Sequence, residues 1–131
     1  MRRPLPPPAA VLAFIDRINH ADLEGLLDLM TEDHVLHVLT EPPVAGKTAL
    51  RPAWRTYFEM FPDYVVYPER IAQTTETVAV LGHTTGSHLN LPDAEEARIP
   101  VIWTAEVHDG LISRWSIVED AEQTRRSLGL A

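Results

Sequence analysis

The sequence predicts an α+β domain in which helices come first and an antiparallel sheet built from hairpins follows. Three observations predict it. Apolar side chains recur at three- and four-residue intervals in the first half. The second half holds runs of strand length rich in Val, Ile, Thr and Trp. Two of those runs meet at Asp109-Gly110, a dipeptide that tolerates positive φ at both positions and so favours a tight hairpin. A curved sheet wrapped around such helices encloses a cone with one open end, a common ligand site.

In chain order, Met1 to Pro8 read as a flexible, proline-rich lead, and residues 9–131 as a single domain. From Ala9, the residues Val11, Leu12, Phe14, Ile15 and Ile18 form an amphipathic helix that Asn19-His20-Ala21 breaks. Asp22 caps a second short helix carrying Leu23, Leu26, Leu27 and Met30. Val35 to Leu39 is a short strand followed by a turn at Glu41-Pro42-Pro43. Gly46 leads into a third helix with Thr48 as its cap, Pro52 in the first turn and Pro62 as its end. Trp54, Tyr57, Phe58 and Phe61 share its apolar side. The strands are Tyr64 to Gln73, Thr77 to His88, Arg98 to His108 and Leu111 to Glu119. Pro92 to Ala97 is an acidic hairpin loop, and Ala121 to Leu128 a closing helix or tail.

A formal charge of −8 argues against nucleic acid and against an anionic membrane surface, since both need a basic face. The absence of cysteine excludes a disulfide frame, a thiol nucleophile and Cys-ligated metal, and fits a reducing cytoplasm. No run approaches the length of a membrane span. His34 and His37, and His83 and His88, stand odd numbers of residues apart, so neither makes a same-face pair on a strand, and no metal is expected. His108 sits beside the hairpin turn in solvent.

The segments Leu29-Met30-Thr31-Glu32-Asp33-His34-Val35, Gly46-Lys47-Thr48-Ala49-Leu50, Phe61-Pro62-Asp63-Tyr64 and Asp109-Gly110-Leu111-Ile112-Ser113-Arg114-Trp115 occur in this order. Together they resemble the nuclear transport factor 2-like (cystatin-like) superfamily, and within it the SnoaL-like polyketide cyclases. That resemblance implies three helices packed in a curved, mixed, mostly antiparallel sheet. It also implies a homodimer and a small apolar ligand, with no cofactor. Ketosteroid isomerases and limonene epoxide hydrolases share the fold. At the places matching the isomerases' oxyanion hole and base stand Phe14, Trp103 and Val38. At the hydrolases' relay and helper positions stand Thr84, Gly86, Ile117, Leu36 and Val38. Neither known mechanism can run on those residues.

The cyclases carry an acid/base carboxylate four residues after a tryptophan. Trp115 plus four is Glu119, with Asp120 the competing match. Strand alternation sets Trp115, Ile117 and Glu119 on one face, which favours Glu119 in an apolar pocket. The match to the hydrolases makes His88 a second acid/base near the mouth. Trp54, Phe58, Trp103 and Trp115 would supply aromatic walls, with Phe14, Val38, Thr84 and Ile117 completing the ligand-binding set. Two functions follow as expectations. One is acid/base cyclisation or isomerisation of an apolar, carbonyl-bearing, polyketide-like substrate. The other is a non-catalytic binding or dimerising module.

Overall fold

The computed structural model describes residues 3–75 and 77–131. Met1 and Arg2 of the expected lead therefore lie outside the described residues. Helix α1 runs Pro7–Asn19 and α2 Leu23–Asp28. Strand β1 (Met30–Val38) and the two-residue β2 (Val44–Ala45) precede α3 (Lys47–Met60). Strands β3 (Val65–Thr74) and β4 (Thr77–Thr85), the one-turn α4 (Asp93–Glu96), β5 (Val101–His108), β6 (Leu111–Val118) and α5 (Glu122–Ser127) complete the chain.

Helix α1 starts two residues earlier than the apolar periodicity suggests, with Pro7 and Pro8 in its first positions. Proline fits there because those amides have no intrahelical acceptor. Ala10, Val11, Phe14, Ile15 and Ile18 form its buried stripe, while Leu12 faces solvent. Asp22 caps α2 as expected, its carboxylate accepting from the Gly25 amide at 3.0 Å. The third helix begins at Lys47, behind Gly46 rather than Thr48, which puts Pro52 inside the helix. The Gly46 amide donates to the His34 carbonyl at 2.8 Å, and this bond to β1 fixes where α3 starts. Leu50, Trp54 and Phe58, four residues apart each time, form its buried edge.

The six strands form one mixed sheet in the order β2-β1-β6-β5-β4-β3. Only β1 and β6 run parallel; the other neighbours are antiparallel. The Asp109-Gly110 hairpin forms as its sequence demands, with φ of 51° and 78° at the two turn residues. Ladder irregularities at Pro68/Arg70, Glu106/Val107 and Met30/Val35 bend the strands around the helices. Met30 belongs to β1 rather than to α2, and β1 starts well before Val35.

Register decides which side chains enter the interior. The rows Val38–Ile117–Trp103–Val80 and Leu36–Trp115–Ala105–Val78 cross β1, β6, β5 and β4 on the concave face, under α1 and α3. The alternate row His37–Ser116–Thr104–Ala79 faces outward. A second apolar cluster covers part of that convex face, where Leu128 and Leu130 from the C-terminus pack on Ala79, Leu81, Ile102 and Val118.

Candidate functional site

The interior is an aromatic stack with two bare polar atoms in it. Phe14 from α1 meets Trp115 from β6 at 4.9 Å between ring centroids, and Trp115 stacks on Trp103 of β5 at 6.3 Å. Trp54 and Phe58 of α3 lie 5.5 Å apart. Phe14 is fully enclosed, while Trp54 and Phe58 keep 7% and 9% exposure. These rings are therefore close-packed, and those of α3 are the least enclosed among them.

His34 of β1 lies within this stack, fully buried and facing Phe14 at 5.8 Å with an interplanar angle of 27°. Its Nδ1 is 2.6 Å from the Ile112 carbonyl oxygen. A carbonyl only accepts, so Nδ1 carries the proton and donates. The Nε2 atom then holds a lone pair, and among the described residues it has no partner. Burial pushes the His34 pKa below its ordinary 6.5, against the opposing pull of the Ile112 bond and the Asp33 charge. The ring is neutral at pH 7, an imidazole base locked in one tautomer by a backbone group. The Trp54 Nε1–H, a donor only, is also buried and unpartnered. Buried polar atoms are ordinarily paired, so each of these two atoms is a candidate point of contact for a ligand.

A second buried polar group joins α4 to the end of β4. Glu96, in α4, is buried at 1% exposure, accepting from the Thr84 hydroxyl and from the Ser87 amide at 3.3 Å. Thr84 faces inward on β4 beside Val66, as expected, but it is committed to this carboxylate. The Tyr57 hydroxyl meets His88 Nδ1 at 2.9 Å and accepts from the His88 amide at 3.3 Å. Burial is the first cause of a raised pKa at both Tyr57 and Tyr64, the latter pushed beyond the ordinary phenol range.

Several expected positions move. Strand β4 ends at Thr85, because Gly86 turns the chain at φ 70°, pressed against the Asp63 carbonyl where a Cβ would stand 2.4 Å from oxygen. His88 therefore sits in an exposed turn and not on an inward strand position. Glu119 lies one residue past β6, whose last ladder partner is Val118, so alternation no longer orients it. It is exposed, on the rim of an outer groove, and not in the aromatic interior. Asp120 is held by Arg125 at 2.6 and 2.8 Å, and that bond keeps its carboxyl below the usual range. Phe14, Trp54, Phe58, Trp103 and Trp115 do converge, with Val38 and Ile117 half-buried on the Trp103 row. The carboxylate that is buried is Glu96, in a stretch that reads as loop, and the buried imidazole is His34. Both carry a weak signal: His34 is four residues before Val38, on the same strand face, and Glu96 is the last acid of a helix-length acidic run.

The fold and this interior define an α+β cone domain with a buried imidazole. The family model of the SnoaL-like domain matches residues 11–115, and the chain belongs to that family. Among curated proteins none matches the sequence. Solved structures show the same fold. A cystatin-fold protein from Novosphingobium aromaticivorans superposes with TM-score 0.71 at 19% identity, over 85% of this chain and 96% of that one. A candidate polyketide cyclase from Sinorhizobium meliloti gives 0.70 at 20% identity, over 86% and 94%. SalBIII, described as an epoxide hydrolase/cyclase-like enzyme in pyran ring formation of the polyether salinomycin, gives 0.70 at 14% identity, over 85% and 88%. At these identities the likeness is one of fold alone. No helix among the described residues is long and apolar enough to cross a membrane.

Proposed function

We propose that this SnoaL-like domain is a cytoplasmic acid–base enzyme acting on a small, apolar, carbonyl-bearing compound, by isomerisation or ring closure. The observation that carries the reading is the pair of bare atoms in the aromatic interior, His34 Nε2 and Trp54 Nε1–H. In this reading Nε2 takes a proton from the carbon beside the substrate carbonyl. The C–H electrons move to the carbonyl oxygen, and the Trp54 N–H donates to that developing enolate. Return of the proton at another carbon gives isomerisation; attack of the enolate carbon on a second carbonyl, whose oxygen then takes the proton back from Nε2, gives cyclisation. The substrate enters on the α3 side, where Trp54 and Phe58 are least enclosed. The SnoaL-like family and the cyclase-like fold relatives support a polyketide-like carbonyl substrate.

The experiment is deuterium exchange at the α-carbon of a panel of cyclic and linear diketones in heavy water, followed by NMR. Exchange should fall about 10²–10⁴-fold in His34→Gln. Equal rates in the two proteins would overturn the assignment. The close packing of Phe14 and Trp103 favours a second reading, a non-catalytic module that binds a ligand or a second copy. Tight binding without exchange, or a dimeric sedimentation mass with no ligand uptake, would select it.

A further inference from the structure

We propose that the convex face of the sheet carries a separate site for a small organic monocarboxylate with an apolar body. The outward row His37–Ser116–Thr104 crosses β1, β6 and β5, and Arg114 is the next outward residue on β6. With Leu39 and Val118 they line a groove of about 550 Å³, beyond the area that the C-terminal leucines cover. The groove lies on the opposite face of the sheet from the aromatic interior.

The groove holds an excess of fixed donors. Arg114 is half-buried, its Nε–H donating to the Ser116 hydroxyl at 3.3 Å and its Nη2 to His37 Nδ1 at 3.1 Å. Both partners are neutral, and among the described residues Arg114 forms no ion pair. Two of its five N–H groups are used, which leaves the rest for an acceptor. Because His37 accepts at Nδ1, its ring is neutral and Nε2 carries a donor hydrogen. The Thr104 hydroxyl stands beside Ser116 on the same row. A planar guanidinium fixed among neutral groups and partly shielded from water is matched by a carboxylate.

Charge selects a monoanion. The chain carries −8, Glu106 stands directly across β5 from Arg114, and Glu119 lies on the groove's rim. With a single guanidinium against these carboxylates, a second negative charge on the ligand adds repulsion that no further cation offsets. The apolar flank is Leu39 and Val118. Leu39 is held at φ 51° with its amide donating to the Ile117 carbonyl at 2.9 Å, a conformation that keeps its side chain half exposed at the rim.

The test is a titration of the ¹⁵N-labelled protein with octanoate, using octanol and octyl phosphate as the uncharged and doubly charged matches. Octanoate should shift the Leu39, Thr104 and Ser116 amides saturably, and octanol should not. Octyl phosphate should bind more weakly than octanoate. Arg114→Gln should weaken octanoate binding by about tenfold or more, and Thr104→Val, which keeps the side-chain shape, should weaken it less. Equal shifts from octanol, shifts centred on the Trp54 indole, unchanged binding in both variants, or no saturable shift would each overturn the proposal.

Discussion

Acidification should destabilise this protein through His34, and the size of the effect follows from its surroundings. The ring is enclosed, with Nδ1 donating to Ile112 and Nε2 bare. Desolvation lowers its pKa in the folded state below the 6.5 that it has in an unfolded chain. Above that value both states are neutral and the group contributes nothing to pH dependence. Below it the unfolded chain binds a proton that the folded protein excludes, so stability falls as pH falls. The loss stops only when pH passes the lowered folded-state pKa. If the folded ring stays neutral throughout, moving from pH 7.5 to 5.5 removes about 1.4 kcal/mol, one tenfold step in the unfolding equilibrium. Urea unfolding followed by tryptophan fluorescence at both pH values measures it. The control is His34→Asn, whose side-chain amide stands where Nδ1 does and can donate to the Ile112 carbonyl, but which does not titrate. The wild type should lose about 1.4 kcal/mol more than the variant. An identical pH dependence in the two proteins would refute the reasoning.

Other perturbations have defined outcomes. Glu96→Ala leaves the Thr84 hydroxyl and the Ser87 amide buried without an acceptor and should cost about 2–4 kcal/mol in urea unfolding. Glu96→Gln, which keeps an oxygen for one of them, should cost less than half of that; hydrogen exchange should quicken around Ser87 in the alanine variant. Leu130→Ala should cost about 2–3 kcal/mol by opening the convex cluster over Ala79, Leu81 and Ile102. A loss under half a kcal/mol would mean that the tail is dispensable to the fold.

The fold was legible in the sequence because its signals are local. Helical spacing fixed the buried stripe of α1, Asp22 announced the cap of α2, and Asp109-Gly110 announced the β5–β6 turn. The parallel pairing of β1 with β6 is set by long-range register, which no local pattern encodes. The site was legible in part. Alternation placed Trp115 and Ile117 on the inner face correctly, then failed at Glu119, because the ladder ends at Val118 and an unpaired residue has no face. The same limit displaced His88, since Gly86 breaks the strand two residues before it. Spacing alone marks His34 only as one of two histidines, with His37, that face opposite ways on a strand. The importance of His34 depends on the Ile112 carbonyl, 78 residues away in sequence, which fixes its tautomer. Glu96 was hidden for a similar reason: an acidic run reads as solvated until α4 folds it under Thr84.

A neutral His34 imidazole presents a bare nitrogen to the aromatic interior. Long-range ¹⁵N NMR of the His34 ring at pH 7 tests it most directly, because protonated and bare ring nitrogens resonate far apart. Nδ1 should be protonated and Nε2 should hold the lone pair, and both should persist as the pH is lowered past 6.5. A ring protonated at Nε2, or an imidazolium at pH 7, would contradict it.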